Sequence, residues 1–170
     1  MRTSTPDVAF LLRHPAHILA LGLGSGLAPR APGTFGSLAA IPLYFWLLAP
    51  WPLAWQLVLI VAAFLFGIPV CGIAGRALGK VDHGSIVWDE IVAMWMLLAV
   101  EPHGLISVAA VFGLFRLFDI VKPWPIDWLD RRLENPFGVM LDDALAAGYV
   151  WLVMDALTRW WPLAGRILHG

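Results

Sequence analysis

Hydrophobic and polar positions in this chain are sorted into long blocks instead of alternating. Residues 31–75 contain no Asp, Glu, Lys or Arg. Within that stretch, residues 53–74 (LAWQLVLIVAAFLFGIPVCGIA) are long enough to cross a bilayer, which takes ~20 apolar residues. Pro69 is placed to kink that helix near one end. Residues 37–49 form a shorter apolar helix containing Pro42. Pro50-Trp51-Pro52 joins the two as a tight turn with an interfacial tryptophan, so a helical hairpin is expected. Residues 144–157 read as the last apolar helix, and Trp160 and Trp161 beyond it suit an aromatic belt. No repeat, low-complexity tract or alternating strand pattern interrupts the series.

The polar residues gather in two blocks, 76–90 and 116–143, the second reading RLFDIVKPWPIDWLDRRLENPFGVMLDD. Charged side chains beside lipid-soluble helices are costly to place, which makes them functional candidates. Residues 91–115 separate the blocks. As one helix they would cross the bilayer and hold Asp89-Glu90 and Asp119 ~30 Å apart. Glu101-Pro102-His103-Gly104 near their middle is a strong breaker, however. Two arms of about ten residues, each ~15 Å long, then form a shallow hairpin that returns to the side it left. Both polar blocks share one face. Arg2, Arg13, Arg30, Arg76, Lys80, Arg116, Lys122, Arg131 and Arg132 fall on that side, whereas the opposite turns carry no Lys or Arg. Arg159 and Arg166 alone fall beyond, so the richer side is the cytoplasmic one. The expected fold is all-α: an integral membrane helical bundle with short, re-entrant helical hairpins and a cytoplasmic-face active site. It forms one domain over residues 1–170.

Composition agrees. The chain has 170 residues, 60% of them hydrophobic, with a mean hydropathy of +0.78, against roughly half apolar in soluble domains. A net charge of −1 gives no basic face for nucleic acid. Cys71 is the single cysteine, so no intrachain disulfide exists. The N-terminus has the outline of a signal peptide, but Arg13 and Pro15 break it up. Residues 1–23 are expected to be retained as an interfacial segment. Nothing in the sequence speaks to oligomeric state.

Two acidic pairs stand at the starts of apolar runs, Asp89-Glu90 (DEIVAMWMLL) and Asp142-Asp143 (DDALAAGYVWL). Either alone is accounted for by helix capping and the helix dipole. Both on one face, with Asp119 ending a third helix, would repel unless a cation sat among them. Oxygen donors without a His/Cys pairing point to Mg²⁺ rather than zinc. Arg116, Asp119 and Lys122 are spaced three apart on one helix face until Pro123 stops it. A surface ion-pair ladder explains that spacing, but beside a metal Arg116 offers a planar fork for phosphate oxygens and Lys122 a compact charge. Asp127, Asp130, Arg131, Arg132 and Glu134 read as the solvated face of a short polar helix. Residues 24–37 form a Gly/Pro loop running into a helix, whose N–H groups could hold an anion with help from the Thr34 and Ser37 hydroxyls. A plain capped turn is the simpler account. His83 lies on the charged side, where a loop histidine is ordinarily solvated though placed to shuttle a proton. His103 faces away, and Cys71 in its apolar helix is a poor thiolate.

LAPRAPGTFGS (27–37), IVWDE (86–90), FRLFDIVKPWPI (115–126) and GVMLDD (138–143), in this order and spacing, resemble the phosphatidylglycerophosphatase A family. The likeness runs from about residue 22 to 157. It implies an Mg²⁺-dependent phosphatase of the bacterial inner membrane, multi-pass and facing the cytoplasm. Its substrate would be the anionic phospholipid phosphatidylglycerol phosphate, converted to phosphatidylglycerol and inorganic phosphate. The family's acidic positions carry over as Asp89, Glu90, Asp119, Asp142 and Asp143, and its basic ones as Arg116 and Lys122. The loop carries over through Pro32, Gly33, Thr34 and Gly36. Ala93, where a glycine is expected after the acidic pair, departs from the pattern and suggests altered helix packing. On this reading Glu90, Asp119 and Asp143 hold the metal, with Asp89 and Asp142 in or behind its ligand set. Arg116 and Lys122 bind the phosphate, and Asp142 is favoured as general base. An aspartyl-phosphate route stays open.

A transporter or channel would need polar residues inside the spans, where only Tyr44 and Gln56 stand out. A non-catalytic scaffold would tolerate loss of Lys122. The PSGH…SR…H pattern of histidine lipid phosphatases and the DG…AR…G…D…D pattern of CDP-alcohol phosphotransferases are absent.

Overall fold

Every regular element among the described residues is helical, as the block pattern implies. The computed structural model describes residues 5–101 and 103–160, so expectations resting on Arg2, Pro102, Trp161 and Arg166 fall outside them. Two short helices open the chain, α1 (Val8–Leu12) and α2 (Pro15–Ala20), followed by a 3-10 turn over Gly22–Leu27. Then come α3 (Pro32–Leu47), α4 (Leu53–Leu78), α5 (Trp88–Val100), α6 (Leu105–Val121), α7 (Ile126–Arg132) and α8 (Pro136–Trp160). The N-terminal segment is tied into the bundle: Ala20 and Leu21 are fully buried, and Ala20 O accepts from Val87 N at 2.8 Å.

The expected hairpin of α3 and α4 is opened by a third helix. The two meet at their shared turn, where Tyr44 Oη donates to Gln56 Oε1 at 2.7 Å. Along their lengths each packs on α5. α5 donates from Trp95 Nε1 to Ala40 O of α3 and from Trp88 Nε1 to Ala63 O of α4, both at 3.1 Å. The reason lies in its sequence. Residues 91–98 are buried apart from the half-buried Met96, and a helix apolar all round belongs in the middle of a bundle.

The break at Glu101–Gly104 separates α5 from α6 as expected, although the arms run to 13 and 17 residues because they take in Trp88 and Val121. They too are splayed, with α8 packed against both. α8 begins six residues earlier than the Asp142-Asp143 pair, capped by Asn135, whose Oδ1 accepts from Gly138 N at 2.9 Å. That acidic pair therefore sits inside a helix, not at its start. Asn135-Pro136 is the actual start, since proline fits the first helical position.

Among the described residues, α4 and α8 are the two helices long and apolar enough to cross a membrane. Only 33% of the most apolar stretch of α4 is buried, and Leu57, Val58, Val61, Leu65 and Phe66 face outward. An exposed apolar surface of that extent fits a lipid environment. The glycines of α4 face inward: a Cβ at Gly67 would press on Met140 and Trp88, and one at Gly72 on Pro136. Small residues let the backbones approach closely where apolar burial gives no drive inside lipid.

Candidate metal and phosphate site

The first turn of α5 is fixed from two directions, by Val87 N on Ala20 O and by the Trp88 indole on α4. It carries Asp89 and Glu90 inward, to the flank of α8 where Asp143 projects from the second turn. Each of the three offers an oxygen within 4.8 Å of the other two. Asp89 and Asp143 are buried, at 7% and 3% exposure. Burial first, then the neighbouring Glu90 carboxylate, holds Asp89 well above the usual carboxylate range. Glu90 is raised to about 8 by burial and by Asp143, with Arg116 pulling the other way. Asp89 and Glu90 are thus both pushed toward the neutral form, and a cation among the three carboxyls would favour their ionised forms.

A basic partner comes from α6. Arg116 Nη1 lies 2.7 Å from Asp119 Oδ2, one turn along the same helix, and 3.7 Å from Glu90 Oε1. It also donates to Ser37 Oγ at 3.4 Å, and Ser37 in turn donates to Gly33 O at 2.9 Å. Among the described residues, two buried polar atoms here have no hydrogen-bond partner: Glu90 Oε2 and Arg116 Nε. A buried carboxylate oxygen and a buried guanidinium N–H on this ion pair, both unspent, fit a site completed by a cation and an oxyanion.

The Gly/Pro loop meets this site in part. α3 starts at Pro32, after Ala31 in the left-handed region (φ 47°). A Cβ at Gly33 would overlap Glu90 Oε1 and crowd the Arg116 guanidinium, so glycine is what permits the approach of α3. Gly36 faces Val87 and serves packing. The Thr34 N–H turns back to Ala31 O. The hydroxyl of Ser37 is committed to Gly33 and Arg116.

Lys122 departs from the expected ladder of Arg116, Asp119 and Lys122. It caps α6 in a left-handed conformation (φ 43°), which swings it off the face that the other two share. Its Nζ reaches Asp142 Oδ2 at 2.5 Å and Asp130 Oδ1 at 3.1 Å. Burial would lower this ammonium, but the hydrogen bonds and charges of Asp142 and Asp130 win and hold it above the ordinary lysine value. The adjacent Asp142 and Asp143 thus serve two neighbouring groups, Asp142 the lysine and Asp143 the acidic cluster.

Asp130 is a residue that sequence reasoning missed. Expected to be solvated, it joins Lys122 because α7 is anchored by Ile126, which is fully buried. The signal was available: Asp130 follows Ile126 by one helical turn and so shares its inward face. The rest of α7 is solvated as expected, with Arg131 paired to an exposed Asp127 and the Arg132 guanidinium 4.6 Å from the Trp128 ring centroid.

The other candidates fall away from the site. His83 Nδ1 accepts from Ser85 N at 3.2 Å, and burial with nearby Lys80 lowers its imidazole. His103 packs between Tyr44 and Phe45 at the far end of α3. Cys71 is buried with its Sγ 4.0 Å from Met140 Sδ. Tyr44 and Gln56 satisfy one another, so they line no polar path.

The family model described as Phosphatidylglycerophosphatase A matches residues 18–158. The phosphatidylglycerophosphatase A of Escherichia coli (strain K12) is 43% identical over 155 residues, covering 89% of this chain and 88% of that protein. The protein of the same description from Haemophilus influenzae is 44% identical over 163 residues, covering 94% and 99%. No solved structure matches.

Proposed function

The chain belongs to the phosphatidylglycerophosphatase A family, and from that premise we propose that it hydrolyses phosphatidylglycerol phosphate to phosphatidylglycerol and inorganic phosphate with the help of Mg²⁺. Membership makes it a phosphoric monoester hydrolase; the substrate and the metal are the proposal. The observation that supports it most is the meeting of Asp89, Glu90 and Asp143 from two helices around a buried, unpartnered Glu90 oxygen. An all-oxygen donor set suits a hard cation such as Mg²⁺. Glu90, Asp143 and Asp89 would hold it, with Asp119 and Asp142 at the margin of the ligand set. When bound, such an ion neutralises phosphate charge and activates water.

The chain's own groups do the rest. The Arg116 fork takes equatorial phosphate oxygens, with its Nε free to donate. Lys122 supplies a second positive charge from the Asp142 side. Asp142, hydrogen-bonded to that lysine, accepts the proton of the attacking water and returns it to the departing alkoxide as the phosphorus–oxygen ester bond breaks. Gly33 and Ser37 keep the start of α3 close enough to fix Arg116. The site lies at the end of the bundle that carries Arg30, Arg76 and Lys80, while the turns at the other end contribute no described Lys or Arg. This asymmetry supports a multi-pass protein of the bacterial inner membrane with its site toward the cytoplasm. The test is phosphate release from phosphatidylglycerol phosphate by Asp119→Asn and Asp143→Asn. Turnover near wild type in both would overturn the assignment.

A further inference from the structure

We propose that the groove between α5 and α8 seats an acyl chain of the lipid whose phosphate the acidic cluster binds, an inference that rests on the lipid phosphatase reading above. Both helices leave the cluster in the same direction, α5 from Asp89-Glu90 and α8 from Asp143. Between them runs a groove of about 310 Å³ walled by Met96, Leu97 and Val100 on one side and Ala144, Gly148 and Trp151 on the other. It begins at the residue after Asp143 and reaches Val100, ten residues beyond Glu90 and so ~15 Å along the helix. Its walls carry no charge. A phosphate held at the cluster therefore has an apolar trough leading away from it along a helix fit to cross the membrane.

Gly148 lies on this groove. Gly67, Gly72 and Gly138 each lie where a Cβ would strike a neighbour, so packing accounts for them. A Cβ at Gly148 would meet nothing within 4 Å. Gly113 of α6 is equally open, so the space at Gly148 matters because it lies within the groove. What its missing side chain leaves is the floor of the groove. The occupant is the substrate's own chain because a phosphate anchored at Asp143 puts its acyl chains within reach of this floor. Bulk lipid or a second copy of the protein would fill it without regard to the substrate.

The experiment compares Gly148→Leu with wild type on dipalmitoyl and dibutanoyl phosphatidylglycerol phosphate in detergent. Leucine fits the open space, so the fold is kept. The expected result is a KM for the dipalmitoyl substrate raised roughly tenfold, equivalent to about two methylenes displaced from the groove, with kcat and both dibutanoyl constants within about twofold. Trp151→Ala, which removes the far wall, shifts the same KM in the same direction by less. Unchanged dipalmitoyl KM values in both variants, or equal losses on both substrates, overturn the groove. A wild-type protein silent on both substrates overturns the phosphatase reading instead.

Discussion

Gly33→Ala separates the site from the fold. Position 33 lies in the first turn of α3, where alanine is the better helix former by about 1 kcal/mol. Its Cβ would overlap Glu90 Oε1 and come within 3.2 Å of both terminal nitrogens of Arg116. Neither neighbour is backbone, so the side chains give way before the helix does. Overpacking of this kind costs about 1–3 kcal/mol, leaving a net destabilisation of about 0–2 kcal/mol after the propensity gain. Activity should suffer far more. The Cβ would lie 2.1 Å from Glu90 Oε1, so Glu90 must shift by about 1 Å from the point it shares with Asp89 and Asp143, and a misplacement of ~1 Å costs roughly 10²-fold. Phosphate release at saturating Mg²⁺ should therefore fall about a hundredfold, while the melting temperature in detergent moves by only a few degrees. The apparent Mg²⁺ requirement should rise in parallel. Wild-type turnover and metal requirement in Gly33→Ala would refute the claim that this glycine exists to admit Glu90.

Three further outcomes follow from the same geometry. Lys122→Ala removes the cation between Asp142 and Asp130 and should lower kcat by about 10²–10³. Asp130→Ala, which leaves the Asp142 contact in place, should lower it less, and Asp127→Ala should leave it unchanged; phosphate-release kinetics on the three variants would rank them. Glu90 titrates near 8 in the folded chain against an ordinary 4.5. Because that value is raised, its contribution to stability is full below pH 4.5 and is lost as pH climbs through about 8, on the order of 3–5 kcal/mol. Metal-free protein should then melt lower at pH 9 than at pH 6, and Mg²⁺ should remove the difference; equal melting at both values without metal would contradict the buried cluster.

The blocks of the sequence reported helices, and the break at Glu101–Gly104 reported that the two polar blocks would meet. Arg116 beside Glu90 is the result. What the pattern could not report is which helix lies beside which. The near-uniform apolar run of α5 has no preferred face, and nothing in its period says that its tryptophans reach two different helices. The expected hairpins have their turns where chain order puts them, while the helix that packs along each pair of arms comes from elsewhere in the chain. Asp142-Asp143 was misplaced for a local reason. The change from polar to apolar at residue 144 looked like a helix start, whereas the true start, Asn135-Pro136, lay in the polar block. Asp130 and Lys122 show the remaining limit: their pairing depends on a left-handed residue at the end of α6, a conformation that lysine rarely takes and that no spacing rule foretells.

The wedge of α5 between α3 and α4 bears on how this chain is made. Insertion into a bilayer proceeds from the N-terminus, so α3 and α4 enter before their common partner has been synthesised. The Ala40 and Ala63 carbonyls that receive its tryptophans then wait without them. α5 in turn leaves its other flank bare until α8 arrives. Assembly cannot advance one closed hairpin at a time. A chain cut short after α6 would lack the helix that packs against both α5 and α6.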